Sequence, residues 1–388
     1  MENAQPNVFV EQARSLVPLL RETARDAELA RQPLDHVIDA VRETDLFSMM
    51  TPKAYGGQEA DIDDYFEVCL TLSEADTSMG WLIGFYIEHC FWFCHYPKSV
   101  QDEIFGDKNY ALAPGALSML GGKATAVDGG YRLSGQWQWG TGIVHATWVM
   151  AGALLDNGDG NIAPMFFILP REQTDTIDTW HMAGMCATGS HDFKIDDVFV
   201  PEERARPFMD LLSMTTGISD MYDAPLYRTP MMPILAIAAG TPCLGAAKRA
   251  VSEFQEQAKS KLDMSTGTVK SENPSRQVTA AQAALEVEMA ESMMRGVVAD
   301  IMKQRMDAPP APRAAWLARM THAVATCRNA INKICEASGA GSNNLNNPLQ
   351  RCLRDVNTAS NHVVFDRDSR YRDFGRTLVG LDPTNPLI

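Results

Sequence analysis

The hydrophobic rhythm of the chain changes twice. From about residue 8 to residue 108, apolar positions recur at the spacing of a helix face. "FVEQARSLVPLLRETARDAELARQ" carries such a stripe at Val10, Leu16, Leu19, Leu20 and Leu29, with charges between. Pro33 opens a second helix that runs through Val41, and "TPKAYGGQ" reads as a loop. "IDDYFEVCLTLSEADTSMGWLIGFYIEHCFWFCHY" predicts a longer helix. Its second half, Ser78 to Tyr96, is apolar nearly all round and is therefore expected to be buried.

From about 110 to 205 the period becomes two. "GGKATAV", "YRLSGQWQW", "HATWVMAGALL", "APMFFILP" and "DFKIDDVFVP" read as strands parted by Gly, Asp, Asn and Pro. Short strands at this spacing predict a compact barrel or sandwich. Asp128-Gly129 is a hairpin turn signal. Beyond it, strict alternation puts Tyr131, Leu133, Trp137, Trp139 and Thr141 on one face, with Arg132, Ser134, Gln136 and Gln138 on the other. The first face suits a sheet core. It equally suits a flat ligand, with Thr141 offering a hydroxyl and Gly142 letting the ligand near the backbone.

Residues 207–233, with Pro207, Gly217, Pro225, Pro230 and Pro233, predict an irregular lid or binding loop. Four long helical stretches follow, beginning "ILAIAAG", "TAAQAAL", "AAWLARM" and "NPLQRCL". The second bears an apolar stripe at Leu285, Met289, Met293, Val297 and Ile301. The stretch 263–275 and "DAPPAP" are breaks, and the four stretches together predict a bundle. The chain thus divides into an N-terminal helical domain (1–109), a small central β-domain (110–207) and a C-terminal four-helix bundle (208–388), an α+β protein that is mostly α.

Charge and composition exclude more than they assign. The net charge is −15 and no Lys/Arg cluster is present, which argues against nucleic acid and against a polybasic membrane patch. No apolar run approaches the ~20 residues of a membrane span. The N-terminus "MENAQPNVFVEQ" lacks a signal-peptide apolar region, which predicts a cytoplasmic protein. The eight cysteines are scattered, with no C-x-x-C pair, and read as free thiols. Cys90 and Cys94 are flanked by His89 and His95, but neighbours on a helix diverge by about 100°, so no metal site is expected.

"GGYRLSGQWQWGTGIVHATWVM", "GMCATGSHDFKIDDVFVPEER" and "NPLQRCLRDVNTASNH" occur in this order. They resemble the flavin-side and last-helix segments of the acyl-CoA dehydrogenase fold, and the resemblance covers nearly the whole chain. A dehydrogenase of that fold needs a glutamate base. Here no Glu occurs after Glu336 or between Glu203 and Glu253. "GWLIGFYIEHCFW" and "RDVNTASNH" instead resemble the oxygenase components of two-component flavin monooxygenases acting on phenols, indoles and other aromatics. A dehydrogenase-type flavin desaturase with a non-standard base is the alternative.

The resemblance implies FADH2 or FMNH2 delivered by a separate NAD(P)H-flavin reductase, O2 as co-substrate, a flavin C4a-hydroperoxide kept dry, and a homotetramer. It implies His362 beside the oxidant and His89 as a substrate-facing acid or base. Thr141 would bond flavin N5 or O4 where the family usually has Ser, and Trp139 would cover a flavin face. Trp137 serves a core equally well. Trp81 would line the pocket. Thr188, Gly189 and Ser190 would bind ribityl or phosphate, and Arg276 would reach a neighbouring subunit's pyrophosphate. From the 207–233 loop, Met221, Tyr222, Tyr227 and Arg228 are candidate substrate contacts. Arg354 and Asp355 read as a structural pair.

Overall fold

The computed structural model describes residues 7–156, 162–213, 221–262 and 267–388. Its first part is helical: α1 (Val8–Ala30), α2 (Asp35–Arg42), α3 (Ile62–Ala75), α4 (Thr77–Phe93) and α5 (Lys98–Phe105). The single long helix expected over 62–96 is two helices. Asp76 leaves helical geometry at φ −150° and caps α4 by accepting from Met79 N–H. An aspartate followed by Thr and Ser competes with the helix backbone for its own amides, which explains the break. Every residue of α4 is buried.

Eight strands follow: β1 (Gly115–Ala116), β2 (Gly122–Val127), β3 (Gly130–Trp137), β4 (Trp148–Asp156), β5 (Ile162–Pro170), β6 (Asp175–Ile177), β7 (Asp192–Pro201) and β8 (Ala205–Pro207). They form one sheet in the order β6-β7-β3-β2-β4-β5-β8, with β1 paired to β4. The sheet curls around its own core of Leu133, Trp137, Val149, Phe167, Phe193 and Ile195. Alternation then divides the strands: Val149 and Ala151 join this core, while Trp148 and Met150 of the same strand join the helical core.

The expected Trp-x-Trp-x-Thr face does not exist as a continuous strand. A register shift lies between Leu133 and Gly135, and β3 ends at Trp137. Trp137 is core, stacked on Phe193 at 5.4 Å, with its indole N–H donated to Gly152 C=O. Trp139 lies beyond the strand at φ 94° and is 53 % exposed.

The C-terminal part comprises α6 (Phe208–Ser213), α7 (Met231–Ser260), α8 (Pro274–Gln304), α9 (Pro310–Ser338), α10 (Pro348–Ala359) and α11 (Arg367–Leu378). Residues 214–220 of the expected loop, Gly217 among them, and residues 263–266 of the expected break lie outside the described residues. Two expectations need correction. By length and composition α7 is apolar enough to cross a membrane, yet 94 % of its most apolar window is buried inside the protein, where it packs on α3, α4, α9 and α10. The α8 stripe is also split: Val297 and Ile301 are buried, but Leu285 and Met289 are exposed, because Ala283, Val287, Ala290 and Met294 face the core instead.

The last expected helix breaks as well. α10 ends at Ala359, and His362 caps the short turn Val363–Phe365 before α11 begins. His362 is therefore held in a turn just beyond a half-buried helix, with its ring against Trp81 and Phe85.

Candidate active site

A cavity of about 510 Å³ opens between α4, α10 and the loops that follow β3 and β6. α4 supplies Trp81, Phe85, His89 and Trp92. The first three are four residues apart, so they stack along one helix face. Trp81 contacts Phe85 at 4.8 Å and Phe85 contacts His89 at 5.5 Å between ring centroids. From the far side His362 meets Trp81 edge-on at 5.5 Å and Phe85 at 6.2 Å. Phe85 therefore stands between two imidazoles. Asn357, Thr358 and Asn361 from the end of α10 complete this wall, with Met150, Phe166 and Leu235 as apolar lining.

Both histidines are neutral at pH 7. Burial pushes His89 down to about 4, and the hydrogen bond to Ala113 C=O opposes this only in part. Burial alone pushes His362 down to about 4. The Ala113 carbonyl can only accept, so the 2.6 Å contact fixes the His89 proton on Nδ1 and leaves the Nε2 lone pair free. An added Cβ at Gly115 would come within 3.1 Å of His89 Nε2 and Cε1. The bare glycine therefore keeps that edge of the ring open.

The opposite wall consists of loops. Gly140 N–H donates to His191 C=O at 2.8 Å and Gly142 N–H to Thr188 C=O at 2.9 Å, tying the 139–143 turn to the 186–191 segment. Between them runs a line of hydroxyls. Thr188 donates to Met185 C=O at 2.8 Å, so its oxygen accepts from Ser190 at 2.7 Å, and Ser190 in turn accepts from Thr141 at 3.0 Å. One carbonyl that can only accept thus orients all three protons, and the lone pairs of Thr141 are left to face the cavity. Trp139 stands at the mouth, edge-on to Trp180 at 6.3 Å.

Arg354 and Asp355 position this wall rather than line it. Asp355 accepts from Met185 N–H at 2.6 Å; Arg354 donates to Ala183 C=O at 2.6 Å and pairs with Glu28. Met185 is held at φ 58°, in the left-handed region. His191 is buried and accepts from Trp180 N–H.

Trp81, His89, Trp139, Thr141, Thr188, Ser190 and His362 thus all line the cavity, and the other expected residues, Met221 and Tyr227 among them, do not. Gly142 (φ 71°) is filled against Tyr86, whose hydroxyl would meet an added Cβ at 2.1 Å. Gly189 (φ 54°) packs on Gln32 and Pro33. Tyr222 is buried with its hydroxyl donated to Gln101, and Arg228 is exposed, donating to Asp223 C=O. Arg276, at the start of α8, lies over Phe254 at 5.5 Å and not at its own chain's cavity. Sequence reasoning missed Trp180, Met182, Met185, Gln138 and the Asn357–Asn361 face. Their irregular loop and helix-end positions carry no periodic signal.

Such an enclosure, apolar on one side and edged with hydroxyls on the other, within helices flanking a small sheet, defines an enzyme for a flat ring system. The description "Acyl-CoA dehydrogenase, C-terminal domain" matches residues 237–367. The chain is 33 % identical over 98 % of both lengths to a pigment production hydroxylase of Rhodococcus sp. (strain ATCC 21145). It is 27 % identical, over 98 % of this chain and 91 % of the other, to the p-hydroxyphenylacetate 3-hydroxylase oxygenase component of Acinetobacter baumannii. The solved structure of XiaF from Streptomyces sp., in complex with FADH2 and glycerol, superposes with a TM-score of 0.92 at 28 % identity, covering 97 % and 96 % of the two chains.

The chain belongs to the oxygenase components of the flavin-dependent aromatic hydroxylases, on the acyl-CoA dehydrogenase fold. Reduced flavin and O2 are its cofactor and co-substrate. The residues present fit that cofactor: Trp139 and Trp180 offer aromatic surface, and the hydroxyl line offers a polar edge.

Proposed function

We propose that the protein hydroxylates a small planar aromatic bearing an ionisable O–H or N–H, of phenol or indole type, with reduced flavin supplied by a separate reductase. The observation that carries this is the pair of neutral histidines on either side of Phe85 in a cavity whose described lining contains no Asp, Glu, Lys or Arg. Bound reduced flavin supplies the electrons that activate O2 for transfer of one oxygen atom to the ring. The protein's part is to keep the site dry and to place few donors.

Each residue then has a task. Thr141 presents an acceptor, which suits the N5–H of a reduced isoalloxazine and not the bare N5 of the oxidised one. His362, neutral and beside Trp81, holds or gives a proton near the oxygen to be transferred. His89 takes the proton of the substrate at Nε2. Trp81 and Phe85 stack on the substrate ring. The relatives' names support the substrate class: one is an indole-3-acetate monooxygenase of Pseudomonas putida.

Assembly as a homotetramer is part of this reading. Val278, Leu285 and Met289 form an exposed apolar stripe on α8, and nothing lies near Gly296 on the same helix. That is a surface for a second copy, and Arg276 lies on the same helix. Sedimentation at micromolar concentration checks it, and a monomer would overturn it.

The function is tested by supplying either reduced flavin through a flavin reductase and screening phenols and indoles for oxygenated product. Product dependent on O2 supports the reading. Tightly bound oxidised FAD that is reduced by an acyl-CoA, with no product from any aromatic, would establish the desaturase alternative.

A further inference from the structure

Glu88 is a carboxyl without exposure to solvent, in the middle of a helix that is otherwise almost wholly apolar. Buried carboxyls without partners are rare because desolvation disfavours them strongly. Its Oε1 accepts from Trp92 Nε1–H at 2.5 Å. Its Oε2 has no hydrogen-bond partner among the described residues and stands 3.3 Å from His89 Nε2. Among the described residues no Lys or Arg lies within ion-pair distance of it. The titratable groups facing it from α3 are Tyr65, held well above its ordinary value by burial, and Cys69, pushed up to about 12; both remain neutral. His362 lies beyond Phe85.

We infer that Glu88 is the positioning partner of His89, supplying the counter-charge when His89 takes the proton of the aromatic substrate. The inference rests on the substrate class proposed above. The proton count follows from the contacts. Nδ1–H is committed to Ala113 C=O, so only Nε2 can receive a proton. Oε1 is committed to Trp92 N–H, so the carboxyl proton of neutral Glu88 sits on Oε2, 3.3 Å from that same Nε2. In this state Glu88 carries no charge to set against an imidazolium. When Glu88 loses that proton to solvent, a carboxylate stands beside Nε2. The ligand O–H or N–H bond then breaks toward Nε2, and the imidazolium formed stands against the Glu88 carboxylate instead of alone in an apolar cavity. The bare edge at Gly115 lets ligand and carboxylate reach the same nitrogen. Burial pushes Glu88 up to about 8, which puts the change just above neutrality. A structural role as acceptor for Trp92 would need no ionisable group, since glutamine would satisfy it.

The test is the pH profile of single-turnover hydroxylation in the wild type and in Glu88→Gln, using a phenol and its O-methyl ether. Glutamine keeps the Trp92 acceptor and the shape, and thermal unfolding confirms the fold. The wild type should gain rate on the order of tenfold from pH 7 to 9 with the phenol. Glu88→Gln should stay at the low-pH rate with no limb near 8, and the ether should show no limb in either protein. The same limb in Glu88→Gln, or a uniform loss at every pH with the limb retained, would overturn the inference. Absence of product from every aromatic in the wild type would instead overturn the functional reading on which it rests. Should Glu88→Gln fail to fold, His89→Gln must lose the same limb, and a retained limb there overturns the inference equally.

Discussion

The two walls of the cavity are built by opposite means. The α4 wall is repetitive: Trp81, Phe85 and His89 meet the ligand space by helical spacing alone. The sheet-side wall joins two loops in unusual backbone, with Trp139 at φ 94° and Met185 at φ 58°, the second held by Asp355 from α10 and by Trp180 and His191 of its own loop. Apolar surface and histidines can be placed by a regular element. A directed row of hydroxyls cannot, so it needs strained loops and distant tethers. The difference also concerns protons: the helical wall stores them, whereas the loop wall only fixes their direction.

The comparison can be broken from the helical side first. His362→Ala should fold, because the ring's one described hydrogen bond accepts from Val364 N–H. Product formed per reduced flavin should fall about a hundredfold while hydrogen peroxide rises; unchanged coupling would remove His362 from the chemistry. On the loop side, Gly184→Ala would set a Cβ 2.1 Å from the Arg354 carbonyl oxygen. We expect a loss of about 2 kcal/mol in denaturant unfolding, together with weaker flavin binding. An unchanged midpoint would mean that the tethered loop yields easily and is not strained as described.

A smaller effect is expected at the hydroxyls. Thr141→Val should weaken anaerobic binding of reduced flavin about tenfold and oxidised flavin less, and Ser190→Ala should do the same at about threefold, since Thr141 is then free to turn. Equal losses for both redox forms would contradict the assigned direction of the row.

The smallest effect sharpens the contrast within α4 and its end. His95 is fully buried, and unlike His89 neither of its ring nitrogens has a partner among the described residues. Burial pushes it down to about 3. The unfolded chain takes up this proton near pH 6.5. The neutral folded form therefore loses stability as the pH falls from about 6.5 toward 3, and no such loss occurs above 6.5. His95→Phe should be about 1 kcal/mol more stable at pH 7, and the gap should widen on acidification. A gap that narrows between pH 6.5 and 5 would show that His95 is not held neutral.

What the sequence made legible follows the same division. The buried aromatic helix, the strand segments and the order of the three parts are written in periodicity, and His89 and His362 were singled out by the family resemblance of "GWLIGFYIEHCFW" and "RDVNTASNH". The breaks at Asp76 and at Ser360–His362 were not legible, since capping side chains override a continuing apolar pattern. Nor were the roles of Thr188 and Ser190, whose hydroxyls turn to Thr141 and to each other. Tyr222 and Arg228 misled because an irregular, proline-bearing stretch reads as a binding loop wherever its side chains point. Glu88 passed unnoticed because one charge in an apolar helix looks the same buried or exposed until its partners are known.

At residue 115 the absence of a side chain decides access to His89. A single methyl there would cover the His89 edge without touching the ring-stacking aromatics. A lineage changing only this position would keep its appetite for flat guests while losing the ability to deprotonate them. It would then drift toward substrates already rich in electrons. For laboratory evolution, this glycine is accordingly the position where one codon separates two repertoires.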